Sequence, residues 1–161
     1  MNLHRTKLLG TLAFYISLPG LYYYLQRNER TRVVITADDD VLVLKGWYGS
    51  NRWMLPGGGV HKNEDITEAA IREVIEETGI VLKPEQFVHL GSSRQWDTYG
   101  FRFVCHSFAV ELDRKPQLLR QNLEISHAIW RPAKTVAADI HGTLKVTRVA
   151  VATWMKSKKL L

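Results

Sequence analysis

Glu73, Glu76 and Glu77 stand at i, i+3 and i+4, so a helix through them puts three carboxylates on one face. Like charges at that spacing repel by about 0.2–0.5 kcal/mol per pair. A hard divalent cation reverses the sign, because Mg²⁺ and Mn²⁺ favour carboxylate oxygens, keep several waters and are completed by substrate phosphates. The chemistry open to this face is metal-assisted attack on phosphorus. Arg72 lies beside it, four residues from both Glu68 and Glu76, and can hold a glutamate through charge-assisted hydrogen bonds. An acidic helix face by itself is usually a solvated surface, so the preceding residues decide. They read Leu55-Pro56-Gly57-Gly58-Gly59, then Glu64. Consecutive glycines permit positive φ and close backbone approach, so the Gly58 carbonyl can turn toward a metal or an amide toward a phosphate.

The helix that must carry these groups is well bounded. Asp65 is placed to cap its N-terminus, Glu68 to complete a capping box, and Gly79 to supply a left-handed C-terminal cap, which gives a helix over 66–78. Ile71, Val74, Ile75 and Thr78 fall on one side of the wheel and the three glutamates nearly opposite, so the expectation is one core face and one carboxylate face. Around it the chain alternates strands and helices. Thr31 to Ala37 and Val41 to Lys45 read as a hairpin turned at Asp38-Asp39-Asp40. Further strands are expected at Phe87 to Leu90, Phe101 to Leu112 and Ala128 to Arg131. A closing helix is expected from Thr143 to Lys158, with Leu144, Val146, Val149, Ala150 and Trp154 as its apolar positions.

Gly58, Glu64 and the run Arg72-Glu73-Val74-Ile75-Glu76-Glu77-Thr78-Gly79-Ile80 match without a gap the signature box of the Nudix hydrolases, over residues 58–80. Trp53 ahead of Leu-Pro-Gly-Gly, the flanking strands and the closing helix extend the resemblance over about 31–161. It implies an α/β fold in which a mixed β-sheet is sandwiched between α-helices, the box forming a loop, helix and loop over the active site. It further implies hydrolysis of a diphosphate linkage in a nucleoside diphosphate derivative or nucleoside triphosphate, by water attacking phosphorus with Mg²⁺ or Mn²⁺. Carried onto this chain, Glu73, Glu76 and Glu77 are metal ligands that the Gly58 carbonyl can join, and Glu64 and Arg72 support and orient them. The proton-accepting carboxylate is Glu77, or, from a later loop as in many relatives, Glu124 or Asp97; spacing does not decide between them.

Substrate choice lies outside the box. The region after it, Ser92-Ser93-Arg94-Gln95-Trp96, lacks the proline that marks ADP-sugar hydrolases, and neither the NADH nor the coenzyme A accessory pattern is visible. Trp47, Tyr48, Trp53, Trp96 and Tyr99 can stack on a base, although aromatic residues in such numbers commonly pack. His61, at a variable box position, is expected in a solvated loop. His89, His106 and His127 lie in or near strands without metal-ligand spacing.

A chain of 161 residues with 45% apolar and 24% charged side chains is one globular core, neither disordered nor fibrous. Its single cysteine, Cys105, excludes an internal disulfide and suits a reducing, cytoplasmic setting. The net charge of +6 is unevenly spread: residues 1–32 carry +4, residues 142–161 carry +5, and residues 33–141, with twelve basic and fifteen acidic side chains, carry −3. The basic ends show no recognised nucleic-acid motif, so no nucleic-acid partner is expected. From Leu8 to Leu25 the chain has 18 uncharged residues flanked by basic ones, short of the roughly 20 a span needs and interrupted by Pro19 and Gly20. Residues 1–30 are therefore set apart from a catalytic domain at 31–161, as a helix broken near Pro19 that packs on the domain or as a segment touching the inner face of a membrane. A cleaved signal peptide is the least favoured reading, since no small-x-small site follows. The expected partner is a nucleotide-type small molecule, with a homodimer also considered. Two alternatives to the nucleotide hydrolase are kept: a Nudix-fold module that binds nucleotides without turnover, and a hydrolase of a membrane-borne diphosphate.

Overall fold

The computed structural model describes residues 29–47, 51–96, 100, 102–118 and 124–159. The segment 8–25 and the side chains of Tyr48, Asp97 and Tyr99 lie outside the described residues, while the boundary placed at residue 30 falls within the first strand, Glu29–Ala37.

Five strands form one mixed sheet: β1 (Glu29–Ala37), β2 (Asp40–Gly46), β3 (Val88–Trp96), β4 (Arg102–Leu112) and β5 (Ile125–Pro132), in the order β3-β4-β1-β2-β5. β1 runs parallel to β4 along its whole length, and the other pairs are antiparallel. Strand alternation sends the side chains of β1 and β4 to two different cores. Val33, Ile35, Phe108 and Val110 meet Ala70 and Val74 of helix α1 (Ile66–Thr78) on one face. Val34 and Ala109, with Val41 and Val43, meet Val136 of α2 (Ala133–Ala138) and Ala150, Val151, Trp154 and Met155 of α3 (Lys145–Ser157) on the other. The sheet is thus sandwiched between helices, as the sequence led us to expect.

Several elements differ from the sequence expectation, β5 among them, which begins three residues before the expected Ala128. The hairpin pairs only at its tip, Thr36 with Val41 and Ala37 with Asp40. Beyond that β1 and β2 separate, and the segment 54–60 enters between them: Leu44 and Met54 exchange backbone hydrogen bonds, Val33 N–H donates to Pro56 O at 2.9 Å and Thr31 N–H to Gly58 O at 2.8 Å. β3 runs on through the polar Ser92-Ser93-Arg94-Gln95 stretch as an edge strand, where one side meets water and polar residues are tolerated. The closing helix starts at Lys145 and buries Thr147, Ala150, Val151, Trp154 and Met155, leaving Val149 exposed. Thr147 is buried because its hydroxyl accepts the Leu55 N–H, tying α3 to the glycine loop. Helix α2 was not foreseen, being only six residues long.

Candidate functional site

The glycine loop is framed on every side before any catalytic group is placed. Trp53 N–H donates to Gly142 O and Leu144 N–H to Trp53 O, Leu55 is fully buried, and residues 56–60 pair along β1. Gly57 has φ +131°, and a Cβ there would overlap the Thr31 carbonyl; one at Gly58 would overlap the Glu73 carboxylate. Glycine is therefore demanded twice, once by the backbone turn and once by the close approach of α1.

α1 forms as expected at its ends. Asp65 accepts from the N–H groups of Thr67 and Glu68, and Gly79 closes the helix at φ +73° with its N–H on Ile75 O. Its faces are rotated from the simple wheel: the buried set is Ala69, Ala70, Val74, Glu77 and Thr78, with Ile71 and Ile75 only partly covered. Glu77, expected on the outer face, is 8% exposed, because the glycine loop covers it and its Oε2 accepts the Gly57 N–H at 2.8 Å. That burial pushes its pKa up from 4.5 to about 7, against the pull of the Gly57 hydrogen bond and the Arg32 charge; Glu73 and Glu124 add to the rise.

Arg72 organises the exposed side. Its Nε donates to Glu64 Oε1 at 2.8 Å and its Nη2 to Glu64 Oε2 at 3.1 Å; Nη1 bonds Glu73 at 2.8 Å and reaches Glu76 at 3.5 Å; Nη2 also donates to Gly59 O. Glu68, one of the two partners suggested by spacing, is not among its contacts. Through the Arg72 bonds, chiefly, the Glu64 pKa drops to about 2, and Glu64 Oε2 also accepts the His61 N–H. His61 itself is a solvated loop residue.

Glu64, Arg72, Glu73, Glu76, Glu77 and Gly58 are thus brought to one place. Among the described residues no three His, Cys, Asp or Glu side chains stand close enough together to hold a metal ion. The donor chemistry, carboxylates with a backbone carbonyl, suits a hard divalent cation, but Arg72 holds Glu73 and Glu76, and the Gly58 carbonyl already accepts from Thr31. Glu124 begins the approach to β5, and its C=O accepts the Trp47 N–H. Trp47, 65% exposed, and Trp53 line a cleft of about 460 Å³ with Lys45, Asn51, Ser126 and His127. Both Lys45 and Arg131 lie against the Trp53 ring, while Trp96 is elsewhere, under Arg102 at the end of β3. His89 and His106 flank Ser92 on β3 and β4, away from any metal-ligand grouping among the described residues.

The sequence reading passed over Arg32. It is buried on β1 and bonds the Gly57 and Thr31 carbonyls. The available signal was an arginine inside an otherwise β-branched and apolar strand, TRVVIT.

An α/β/α sandwich whose glycine loop and acidic helix meet over one end of the sheet defines the class, and comparison with known proteins gives the family. The NUDIX domain model matches residues 26–148, and the chain belongs to that family. A protein named RNA pyrophosphohydrolase from Shewanella piezotolerans is 35% identical over 74 residues, which are 46% of this chain and 39% of that protein. The chain spans about two fifths of the length of the curated relatives it matches. Among solved structures, a MutT NUDIX hydrolase from Burkholderia pseudomallei superposes with TM-score 0.68 at 21% identity, covering 80% of this chain and 98% of that one. The E. coli dihydroneopterin triphosphate pyrophosphohydrolase does so with TM-score 0.67 at 24% identity, covering 80% and 95%. At such identities the structures establish the fold. Hydrolases of this family generally use divalent metal ions.

Proposed function

We propose that this protein is a metal-dependent pyrophosphohydrolase that cleaves a diphosphate linkage in a nucleotide-type substrate by water attack on phosphorus. The observation that carries the reading is the placement of Glu77: a carboxylate buried under the glycine loop and held by the Gly57 N–H, next to the Glu64–Arg72–Glu73 array.

Glu73, Glu76 and Glu77, with the Gly58 carbonyl, are the groups that would hold Mg²⁺ or Mn²⁺, which requires Glu73 and Glu76 to turn from Arg72 and gather with Glu77. When bound, the ion supplies charge neutralisation on the phosphates and acidification of a water. The residues do the rest. Arg72 and Glu64 fix the direction of the Glu73 carboxylate, the glycine loop gives a phosphate close access to backbone, and Glu77 takes the proton from the attacking water. Glu124, whose charge reaches Glu77 along with that of Glu73, has no part in proton transfer in this reading. The cleft beside Trp47, with its exposed indole and the Lys45 ammonium, suits a nucleobase and the charge that accompanies it.

The test is a panel of nucleoside triphosphates, nucleoside diphosphate derivatives and RNA bearing a 5′-triphosphate, assayed with Mg²⁺ or Mn²⁺. Turnover of at least one class is expected, lowered about 100-fold or more in Glu77→Gln and within about twofold of the parent in Glu124→Gln. A folded protein that binds nucleotides and turns none over would instead be the non-hydrolysing module, and undiminished turnover in both Glu76→Gln and Glu77→Gln would remove the metal assignment.

A further inference from the structure

Arg32 is a buried charge that packing alone does not account for. It is 8% exposed, and among the described residues it forms no ion pair. Its Nη1 donates to Thr31 O at 2.9 Å and to Gly57 O, and its Nε is buried without a partner. Taking a guanidinium out of water is unfavourable, and an apolar residue of similar volume at such a position is often neutral or stabilising. Stability therefore gives no reason for arginine here. Its grip on Gly57 does.

Gly57 has no side chain to hold it and sits at φ +131°, a conformation that needs external support. Support comes from both ends: the Gly57 N–H goes to Glu77 and the Gly57 carbonyl to Arg32. A trans peptide is planar with C=O and N–H opposed, so fixing the Gly57 carbonyl also fixes the N–H of Gly58, turned away from the guanidinium. That N–H has no acceptor among the described residues, and the Gly58 Cα lies against the Glu73 carboxylate. One side chain thus sets both the hydrogen bond that seats Glu77 and the direction of a free backbone donor beside Glu73. Such donors receive phosphate oxygens.

We propose that Arg32 is a positioning residue of the site, clamping the Gly57 carbonyl so that the Gly57 amide seats Glu77 and the Gly58 amide is presented to a phosphate oxygen of the substrate. The kinetic part of this proposal rests on the pyrophosphohydrolase reading; the clamp itself does not.

The experiment uses the full chain and the variants Arg32→Met and Arg32→Lys. In ¹⁵N–¹H spectra and amide exchange, Arg32→Met is expected to shift the Gly57 and Gly58 resonances and to speed exchange at Gly57 by about tenfold or more, while thermal unfolding stays within about 3 °C of the parent. With any substrate the parent turns over, kcat is expected to fall about tenfold or more with KM changed less than about threefold, and Arg32→Lys, which keeps a donor, to recover part of kcat. Unchanged Gly57 and Gly58 amides in a folded Arg32→Met protein overturn the clamp. A kcat loss no larger than the loss of folded protein, or no recovery in Arg32→Lys, overturns the positioning role. If the methionine variant does not fold, Arg32→Lys carries the spectral test against the parent: it must shift the same two amides, and unmoved resonances overturn the proposal. A parent with no turnover of any substrate removes the proposed function and leaves the spectral test of the clamp standing.

Discussion

Glu77 sits where the interests of folding and chemistry are opposed. An ordinary glutamate ionises near 4.5, whereas here desolvation raises the folded value to about 7. The folded state thus binds this proton more tightly than the unfolded chain, so stability falls as pH rises from about 4.5 to about 7. At about 1.4 kcal/mol per unit, the ionised carboxylate costs the metal-free protein about 3 kcal/mol above pH 7. Urea unfolding in a chelator, run across that range, should show this decline in the parent and a much flatter profile in Glu77→Gln, whose amide oxygen can still accept the Gly57 N–H. A stabilised, pH-insensitive and inactive variant is the expected outcome; parallel profiles would contradict the burial argument. Arg72 makes the opposite kind of prediction. It satisfies both oxygens of Glu64, one of Glu73 and the Gly59 carbonyl. Lysine is a point charge without that fork, so Arg72→Lys should lose about 10–100-fold in kcat/KM, the range typical for partners that orient ligands, despite an unchanged net charge. Steady-state kinetics on the folded variant decides it.

At the scale of elements, α1 separates what local chemistry dictates from what the fold dictates. Its ends follow from Asp65 and Gly79 alone, and both were readable in the sequence. The reciprocal bond from Glu68 that a capping box requires is not formed among the described residues, so Asp65 alone serves the first turn. Asp65→Ala should therefore cost about 1 kcal/mol in chemical denaturation, with kcat per folded molecule unchanged because Asp65 touches none of the site groups. A cost near zero would mean the helix start is held by packing instead. Which glutamate is buried was not readable, since the wheel of α1 cannot know that residues 54–60 enter between β1 and β2 and cover Glu77. The same insertion explains why the hairpin was right in its strands and turn but wrong in its pairing: Val33 and Thr31 find their partners at Pro56 and Gly58, some 25 residues away in sequence. Arg32 was missed for this reason too. Its partner is the carbonyl of a distant glycine, and no local pattern marks such a contact.

For the whole molecule, charge is unevenly partitioned along the chain. The excess of +6 resides at the ends, +4 in residues 1–32 and +5 in 142–161, while the middle, at −3, contains every site glutamate. No helix among the described residues is long and apolar enough to cross a membrane. Among the described residues both core clusters are built from residues 33–155, and the family match begins at residue 26. The chain lacking residues 1–26 is therefore expected to unfold cooperatively, with Tm within about 5 °C of the parent and kcat unchanged. A large loss of stability would mean that residues 8–25 pack on the domain. With that established, sedimentation with anionic vesicles assigns the segment: binding by the full chain that weakens with salt and disappears on truncation marks a membrane contact. Binding kept by the truncated chain points instead to the basic C-terminal end, where Lys156, Lys158 and Lys159 cluster and Lys158 is already paired with Glu111.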